Sequence, residues 1–345
     1  MERLSDQGKT PSNGGLFVFL EEQFTMTLTT NLPHGRKARR QAWGDYWKTG
    51  VLHSCPTSYS GNYDGVVGEF WCATARQLPA HGHIIDLATG NGAIPRLLLS
   101  HGRTDLDIDA IDAADIPGPE TSIGAGVRLH PRVRMESLPF AADCFDAACS
   151  QFGIEYATHP EALGEVLRVL KPAGQIHWVL HHRDSVFTRV AALESEHLAW
   201  ATSEEGILDA AIGIAPWMQR IRAGLTLEDP RKANSARDTF NQVQIALEQR
   251  IQLDDTVGVL QDVRATVHAI LIRDADPASA LVRYRQDLEH ARVRCQDLCA
   301  CACDQAKLLS LVEWLGGRRP AMRMEITTLS QSEGLLAWAL RAMPS

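Results

Sequence analysis

The stretch IIDLATGNGAIPRLLL, Ile84 to Leu99, decides the fold. Ile84, Ile85 and Leu87 form a short apolar run, while Ile94, Leu97 and Leu98 recur at the helical period. A strand must therefore turn into a helix across Gly90, Asn91 and Gly92. Strand-to-helix turns at the carboxyl edge of an α/β sheet are where ligands sit. Glycine is wanted there because a side chain would hold the backbone off the ligand, and because such turns often need a positive φ. Asp86 adds a carboxylate at the strand end. A dinucleotide fingerprint would place a third glycine at position 95, where this chain has proline. Pro95 suits the first turn of a helix and argues against a pyrophosphate clamp of the NAD type.

Working outward, a second strand, Leu106 to Ile111, ends at Asp112, about 20 residues beyond Gly92. That is the spacing at which an acid after the second strand reaches ribose hydroxyls in a doubly wound sheet; Asp109 and Asp115 are weaker neighbours. Next comes RVRMESLPFAADCFDAACSQFGIEY, Arg132 to Tyr156, in which Ala147 to Phe152 reads as a buried fourth strand. Pro160 to Leu170 is periodic as a helix, and LKPAGQIHWVLHH supplies a turn and a fifth strand. Met322 to Ser330 and Leu335 to Met343 form a terminal hairpin, preceded by a helix at Leu308 to Leu315.

The segment D-L-A-T-G-N-G resembles motif I of the class I S-adenosylmethionine-dependent methyltransferases. The order LPF, FD, SQFG and L-K-P-x-G is similar to the small-molecule members with a methyltransferase type 11, UbiE-like core. The resemblance covers about residues 82–182 and 308–343. It implies a doubly wound, mostly parallel seven-stranded sheet, with S-adenosylmethionine as cofactor. It also implies cofactor contacts at Asp86, Ala88, Gly90, Asn91, Gly92, Asp112, Glu136, Ser137, Leu138, Gln151 and Phe152. In it Asp112 takes the ribose role, and Glu136 and Ser137 lie on the adenine loop, whose usual acid is shortened or shifted here. Gln151 is placed to orient a substrate or cofactor amine.

Between the fifth strand and the last helix lies a long stretch that the family does not specify. Phe240 to Ile251, Val257 to Ile270 and Leu281 to Ala302 carry apolar residues mostly three and four apart. Pro277, with Asp274 and Asp276, breaks this into two long helices expected to pair as an antiparallel hairpin. The chain is thus expected to divide into an N-terminal arm, 1–40, partly mobile; a core, 41–184 with 305–345; and a helical insertion after the fifth strand, 185–304. The insertion is either a lid over the site or a dimerisation element, so a homodimer is one of the two expectations. Trp200 and Trp217 are its better pocket candidates.

Gln41 to Trp71 is dense in aromatic and turn residues. Tyr46, Trp47, His53, Tyr59 and Tyr63 are candidate substrate contacts, with Tyr156 beyond the fourth strand; core packing is the competing use of each aromatic. Methyl transfer is an in-line displacement, so a hydroxyl or amine acceptor can also need a proton acceptor. His181 and His182, at the edge of the fifth strand, are the first candidates, followed by Glu155, Tyr156 and His159. Alternation sends the two adjacent histidines to opposite faces. A carboxylate or phenolate acceptor would need little or no base.

Apolar residues make up 45% of the 345 and charged residues 22%, the balance of a globular protein. With 34 basic against 42 acidic residues and a net charge of −8, nucleic acid is not expected as a partner. The exception is the local run HGRKARR, His34 to Arg40. No apolar run approaches a membrane span, and no signal-peptide pattern opens the chain, so a cytoplasmic location is expected. Cys295, Cys299, Cys301 and Cys303 lack zinc spacing, and Cys301 leaves the stripe of the other three; no metal is expected. No N-P-P-Y or D-P-P-Y tetrapeptide follows the fourth strand. The expected activity is methylation of a small molecule, by preference on oxygen in a specialised metabolite. The alternatives are a protein or RNA methyltransferase and a non-catalytic S-adenosylmethionine-binding assembly protein.

Overall fold

The computed structural model describes residues 32–55, 60–116, 123–253 and 258–345. Its centre is a seven-stranded sheet in the order β3-β2-β1-β4-β5-β7-β6. The strands are β1 (His83–Leu87), β2 (Asp107–Asp112), β3 (Val127–Pro131), β4 (Phe145–Gln151), β5 (Leu170–His181), β6 (Met322–Gln331) and β7 (Gly334–Pro344). The first five are mutually parallel, and β7 runs antiparallel to both β5 and β6. The strand order reverses between β1 and β4, so their carboxyl ends flank the crevice where an α/β sheet binds its ligand.

β1 is buried on both faces, with Ile84, Ile85 and Leu87 not alternating with exposed residues, because helices cover both faces of the sheet. On one face α4 (Pro160–Val169) and α10 (Gln305–Arg318) bring Leu163, Val166, Leu311 and Leu315 against Ile85, Leu87 and Trp178. On the other, α2 (Gly65–Gln77) and α3 (Ala93–Ser100) bring Val67, Trp71 and Leu98 against Ile84, Ile108 and Val179. Each large apolar side chain buried this way contributes about 1.5–3 kcal/mol. The L-K-P-x-G turn is absorbed into β5, whose pairing with β4 shifts register between Phe145 and Ala147.

Between β5 and α10 the described residues form five helices: α5 (Val186–Thr202), α6 (Ile207–Arg222), α7 (Pro230–Leu253), α8 (Val259–Arg273) and α9 (Pro277–Cys301). They share a core of their own, with Leu198, Leu208, Phe240, Leu247, Val263 and Leu281 at its centre. The break at Pro277 is where the sequence puts it: the Asp276 side chain accepts from Ser279 N, and proline occupies the first helical turn. The two-helix hairpin expected over Phe240 to Ala302 is corrected to three helices, α7, α8 and α9. The periodic run from Phe240 to Ile270 is two helices, because α8 starts afresh after Gly258, whose φ is +66°. Cys303 likewise leaves the helical stripe, since α9 ends at Cys301 and Cys303 bridges to His182.

Before the sheet, α1 (Arg36–Lys48) lies across the carboxyl edge. Among the described residues, no helix is long and apolar enough to cross a membrane.

Candidate active site

The turn after β1 is held by backbone contacts that the glycines make available. Gly90 and Gly92 adopt φ of +54° and +77°, and Ala88 also takes a left-handed φ of +56°. Asp112, at the end of β2, accepts from Gly90 N at 2.9 Å through one oxygen and from Ala114 N at 2.8 Å through the other. Its carboxyl is pushed up by burial, against the pull of those two N–H groups. Asp109, by contrast, is taken up by Arg128, His83 and His130 farther down β2.

The end of β4 meets this turn closely. Ser150 Oγ donates to Leu87 O at 3.0 Å and accepts from Ile154 N at 3.0 Å. A Cβ at Gly153 would collide with that of Ala88, so only glycine lets the two strand ends approach. Phe152 is turned into a left-handed φ of +55° between them. Gln151 Oε1 accepts from the indole N–H of Trp71 at 2.6 Å, inside the core. An indole can only donate, so the Gln151 amide must present its oxygen to Trp71 and its NH2 elsewhere. That Nε2 is buried without a hydrogen-bond partner.

Above these ends lies a cavity of about 660 Å³. Asp86, Thr89, Asp112, Gln151 and Phe152 line its floor, and Met135 and Glu136 one wall. Both carboxylate oxygens of Asp86 are buried without a well-formed hydrogen bond, the neighbouring Thr89 hydroxyl being the one side chain among the described residues that pulls on them. Burial, with the Asp112 charge adding to it and Thr89 opposing, pushes the Asp86 carboxyl up to about 7. A buried carboxylate with neither oxygen in a well-formed hydrogen bond is a site for a cationic group. The methionyl end of S-adenosylmethionine carries such an ammonium group, so the donor set fits that cofactor.

α1 forms the roof. Trp43 and Trp47, one helical turn apart, stack at 5.6 Å and both line the cavity. The Trp47 indole packs on Gly90, where a Cβ would come within 2.6 Å of the ring. Asn91 Nδ2 donates to Trp47 O and Val51 O, at 2.9 and 2.6 Å, and ties the end of the helix to the turn. The basic run belongs to the first turns of α1, and Arg36, Lys37 and Arg40 also line the cavity. Arg36 and Arg134 pair with Glu136 at 3.5 and 3.0 Å, which holds the Glu136 carboxyl below its usual range despite its burial.

α9 fixes this roof from above. Asp297, fully buried, pairs with His34 at 3.0 Å and Arg39 at 3.8 Å. Arg294 donates to Ala42 O and lies 4.5 Å over the Tyr46 ring. His290 reaches Asp45 at 3.2 Å.

Of the residues expected at the site, Asp86, Ala88, Asp112, Glu136, Gln151, Phe152, Trp47, His53, Tyr63, Tyr156 and His159 line the cavity. Gly90, Asn91 and Gly92 shape its edge without lining it. Ser137 turns back on Arg134, and Leu138 is core. Tyr46 is corrected from a substrate contact to a support: its hydroxyl donates to His53 O, and burial pushes it up to about 12. Tyr59 lies outside the described residues. Trp200 and Trp217 do not line the cavity; Trp200 lies under Arg250 within the bundle.

The base candidates at the end of β5 do not line it either. His182 faces away, stacked at 4.4 Å on Trp338 with Nδ1 accepting from Asp184 N. His181 is sealed behind Phe152, stacked on it at 4.1 Å, and bound to buried Glu155 at 2.7 Å. The expectation that these three meet the acceptor is thus not met by the geometry. Trp43, Trp71 and Thr89 are the lining or supporting residues that sequence reasoning missed. Only Trp43 carried a signal, one helical turn before Trp47.

A family model described as a methyltransferase domain matches residues 85–178. The chain is 31% identical over 106 residues to the ubiquinone/menaquinone biosynthesis C-methyltransferase UbiE of Geotalea daltonii. That match spans 28% of this chain and 44% of the relative, less than half of the relative's length. Among solved structures, it is similar to a SAM-dependent methyltransferase from Aquifex aeolicus (17% identity, TM-score 0.29, 35% of this chain and 64% of that one). It is also similar to the 1,6-didemethyltoxoflavin-N1-methyltransferase of Burkholderia thailandensis (18% identity, TM-score 0.33, 42% and 62%).

Proposed function

We propose that this chain, whose core belongs to the class I S-adenosylmethionine-dependent methyltransferases, transfers a methyl group to an ionised oxygen of a small acidic molecule. The observation that carries the cofactor half of this reading is Asp86, buried at the end of β1 beside a glycine turn with neither oxygen in a well-formed hydrogen bond. S-adenosylmethionine, when bound, supplies a methyl on a sulfonium, a good leaving group for in-line displacement.

Asp86 would hold the cofactor's ammonium group, and its own charge would be restored by doing so. Asp112 keeps two carboxylate lone-pair sites beyond those taken by Gly90 and Ala114, enough for ribose hydroxyls. Gln151, with its NH2 free, suits an acceptor oxygen, not the amine that its sequence position first suggests. Trp43 and Trp47 would exclude water and align the acceptor, and such positioning can supply much of the rate.

An acidic acceptor is favoured for two reasons. The three histidines that line the cavity are engaged: His34 with Asp297, His53 between Gly61 O and Cys55 N, and His159 as the cap of α4 with Nε2 toward Glu136. A phenolate or carboxylate needs no base from them. Arg36, Lys37 and Arg40 also bring positive charge to the cavity of an acidic chain. The Geotalea relative, a quinone-pathway enzyme by its name, adds support for a small acceptor.

The test is incubation with methyl-labelled S-adenosylmethionine and a panel of phenols, carboxylic acids and amines, beside a host extract. Label in phenols or acids is expected. Label confined to protein, RNA or amines would overturn the proposed acceptor, and no heat of S-adenosylmethionine binding would overturn the cofactor.

A further inference from the structure

Behind the cavity, three chemistry-bearing side chains converge that methyl transfer does not use. Glu155 lies in the 3-10 turn Ile154–Ala157 after β4, His181 at the end of β5, and Cys301 at the end of α9. Their exposures are 0, 2 and 0%. An oxygen of Glu155, a ring nitrogen of His181 and Cys301 Sγ lie within 4.8 Å of one another.

The hydrogen bonds present do not account for this group. Glu155 Oε1 accepts from both the backbone N and the ring Nδ1 of His181, at 2.8 and 2.7 Å, which fixes the imidazole. That leaves Glu155 Oε2 and His181 Nε2 buried with no partner, and so is the Tyr156 hydroxyl, which faces Cys301. The Cys301 thiol reaches Leu298 O in its own helix, at 3.4 Å, with the Tyr156 hydroxyl against its sulfur. The nearest cation, Lys307, donates to the Cys301 carbonyl, not to Glu155. Buried polar atoms nearly always have partners, and several left over in one place call for a shared occupant.

We propose that Glu155, His181 and Cys301 bind one divalent ion of the zinc type. Carboxylate, imidazole and thiolate form a donor set that zinc takes, and two anionic donors would neutralise a dication in this apolar interior. Tetrahedral zinc holds its donors about 3.5 Å apart, so the three side chains close on the ion by moving about 1 Å. Tyr156 or a water completes four. The ion would staple α9, which carries the roof contacts, to the carboxyl edge of the sheet.

None of the three side chains lines the cavity, so this site stands or falls apart from the methyl-transfer reading. The experiment is elemental analysis of the purified full chain, then removal of metal and titration with cobalt(II). About one zinc per chain and a thiolate-to-cobalt charge-transfer band are expected, with a rise in Tm on metal addition. Cys301→Ser should abolish the band, and Cys299→Ser should keep it. Glu155→Gln should weaken cobalt binding at least tenfold with the band retained. A metal-free protein whose titration gives no thiolate band overturns the site. So does a band that survives Cys301→Ser. The wild-type titration decides the matter even if Cys301→Ser does not fold.

Discussion

The indole N–H of Trp71 holds the Gln151 amide from the side of the core, 2.6 Å from Oε1, and so sets which end of that amide faces the cavity. The two residues are 80 positions apart in the chain. Trp71→Phe removes the donor, shrinks a fully buried side chain and frees the amide to flip. We expect a stability loss of about 2–4 kcal/mol, from the lost donor and the cavity left by the smaller ring, and a disproportionate fall in turnover, tenfold or more. Gln151→Leu should lower turnover at least as far. Turnover unchanged in Trp71→Phe would show that the amide's orientation does not matter.

Asp86 links the site to pH. Its carboxyl stands at about 7 in the fold against 3.8 in an exposed chain, so between those values the folded state holds the extra proton. The Asp86 contribution to the stability of the cofactor-free protein therefore falls as pH rises through this window, and its full cost is present above about pH 7. Asp86→Asn removes the charge. The variant should gain roughly 2–4 kcal/mol over wild type at pH 8 and little at pH 4, while losing S-adenosylmethionine binding. Denaturation curves at the two pH values check this; an equal difference at both would sink it.

What the sequence disclosed was what depends on near neighbours. β1, the glycine turn and α3 are written in adjacent residues, and the end of β2 follows at fixed spacing, so Asp86, Gly90 and Asp112 could be placed without coordinates. The roof could not. His34 and Asp297 are 263 residues apart, and no periodicity in α1 or α9 announces that they pair. His181 and His182 were misjudged for a related reason. Alternation gives opposite faces, but whether a face meets a cavity depends on what covers it, here Phe152 for one and Trp338 for the other. The break between α7 and α8 was missed because a glycine with positive φ leaves the apolar spacing on either side intact.

The contact of Gly90 with Trp47 gives a double-mutant test of the roof. Gly90→Ala meets two obstacles, a φ of +54° and the indole within 2.6 Å. The first costs about 1–2 kcal/mol wherever the ring is; the second disappears when the ring does. S-adenosylmethionine affinity should fall more than tenfold in Gly90→Ala alone. On a Trp47→Ala background the same change should cost only the backbone strain, a coupling of about 1 kcal/mol or more. Strict additivity in calorimetric titrations would mean that the two residues do not touch.

The last test concerns how the helical bundle serves the site. Asp297 is a fully buried carboxylate, and its partners His34 and Arg39 are each about one-fifth exposed, at 22%. Removing one member of a fully buried ion pair costs about 3–5 kcal/mol because the other is stranded. Here the stranded cations can turn to solvent, so Asp297→Ala should cost less, roughly 1–3 kcal/mol. The cost is local. With Asp297 gone, the start of α1 loses its anchor while Asn91 still holds the end, so the helix should swing and open the cavity over Trp43. Far-ultraviolet dichroism should stay the same, acrylamide quenching of tryptophan should increase, and KM for the acceptor should rise more than kcat falls. Asp297→Asn, which keeps a hydrogen-bond acceptor for His34, should recover much of the loss. Equal quenching in wild type and Asp297→Ala would mean that the Asp297 pairs do not hold the start of α1.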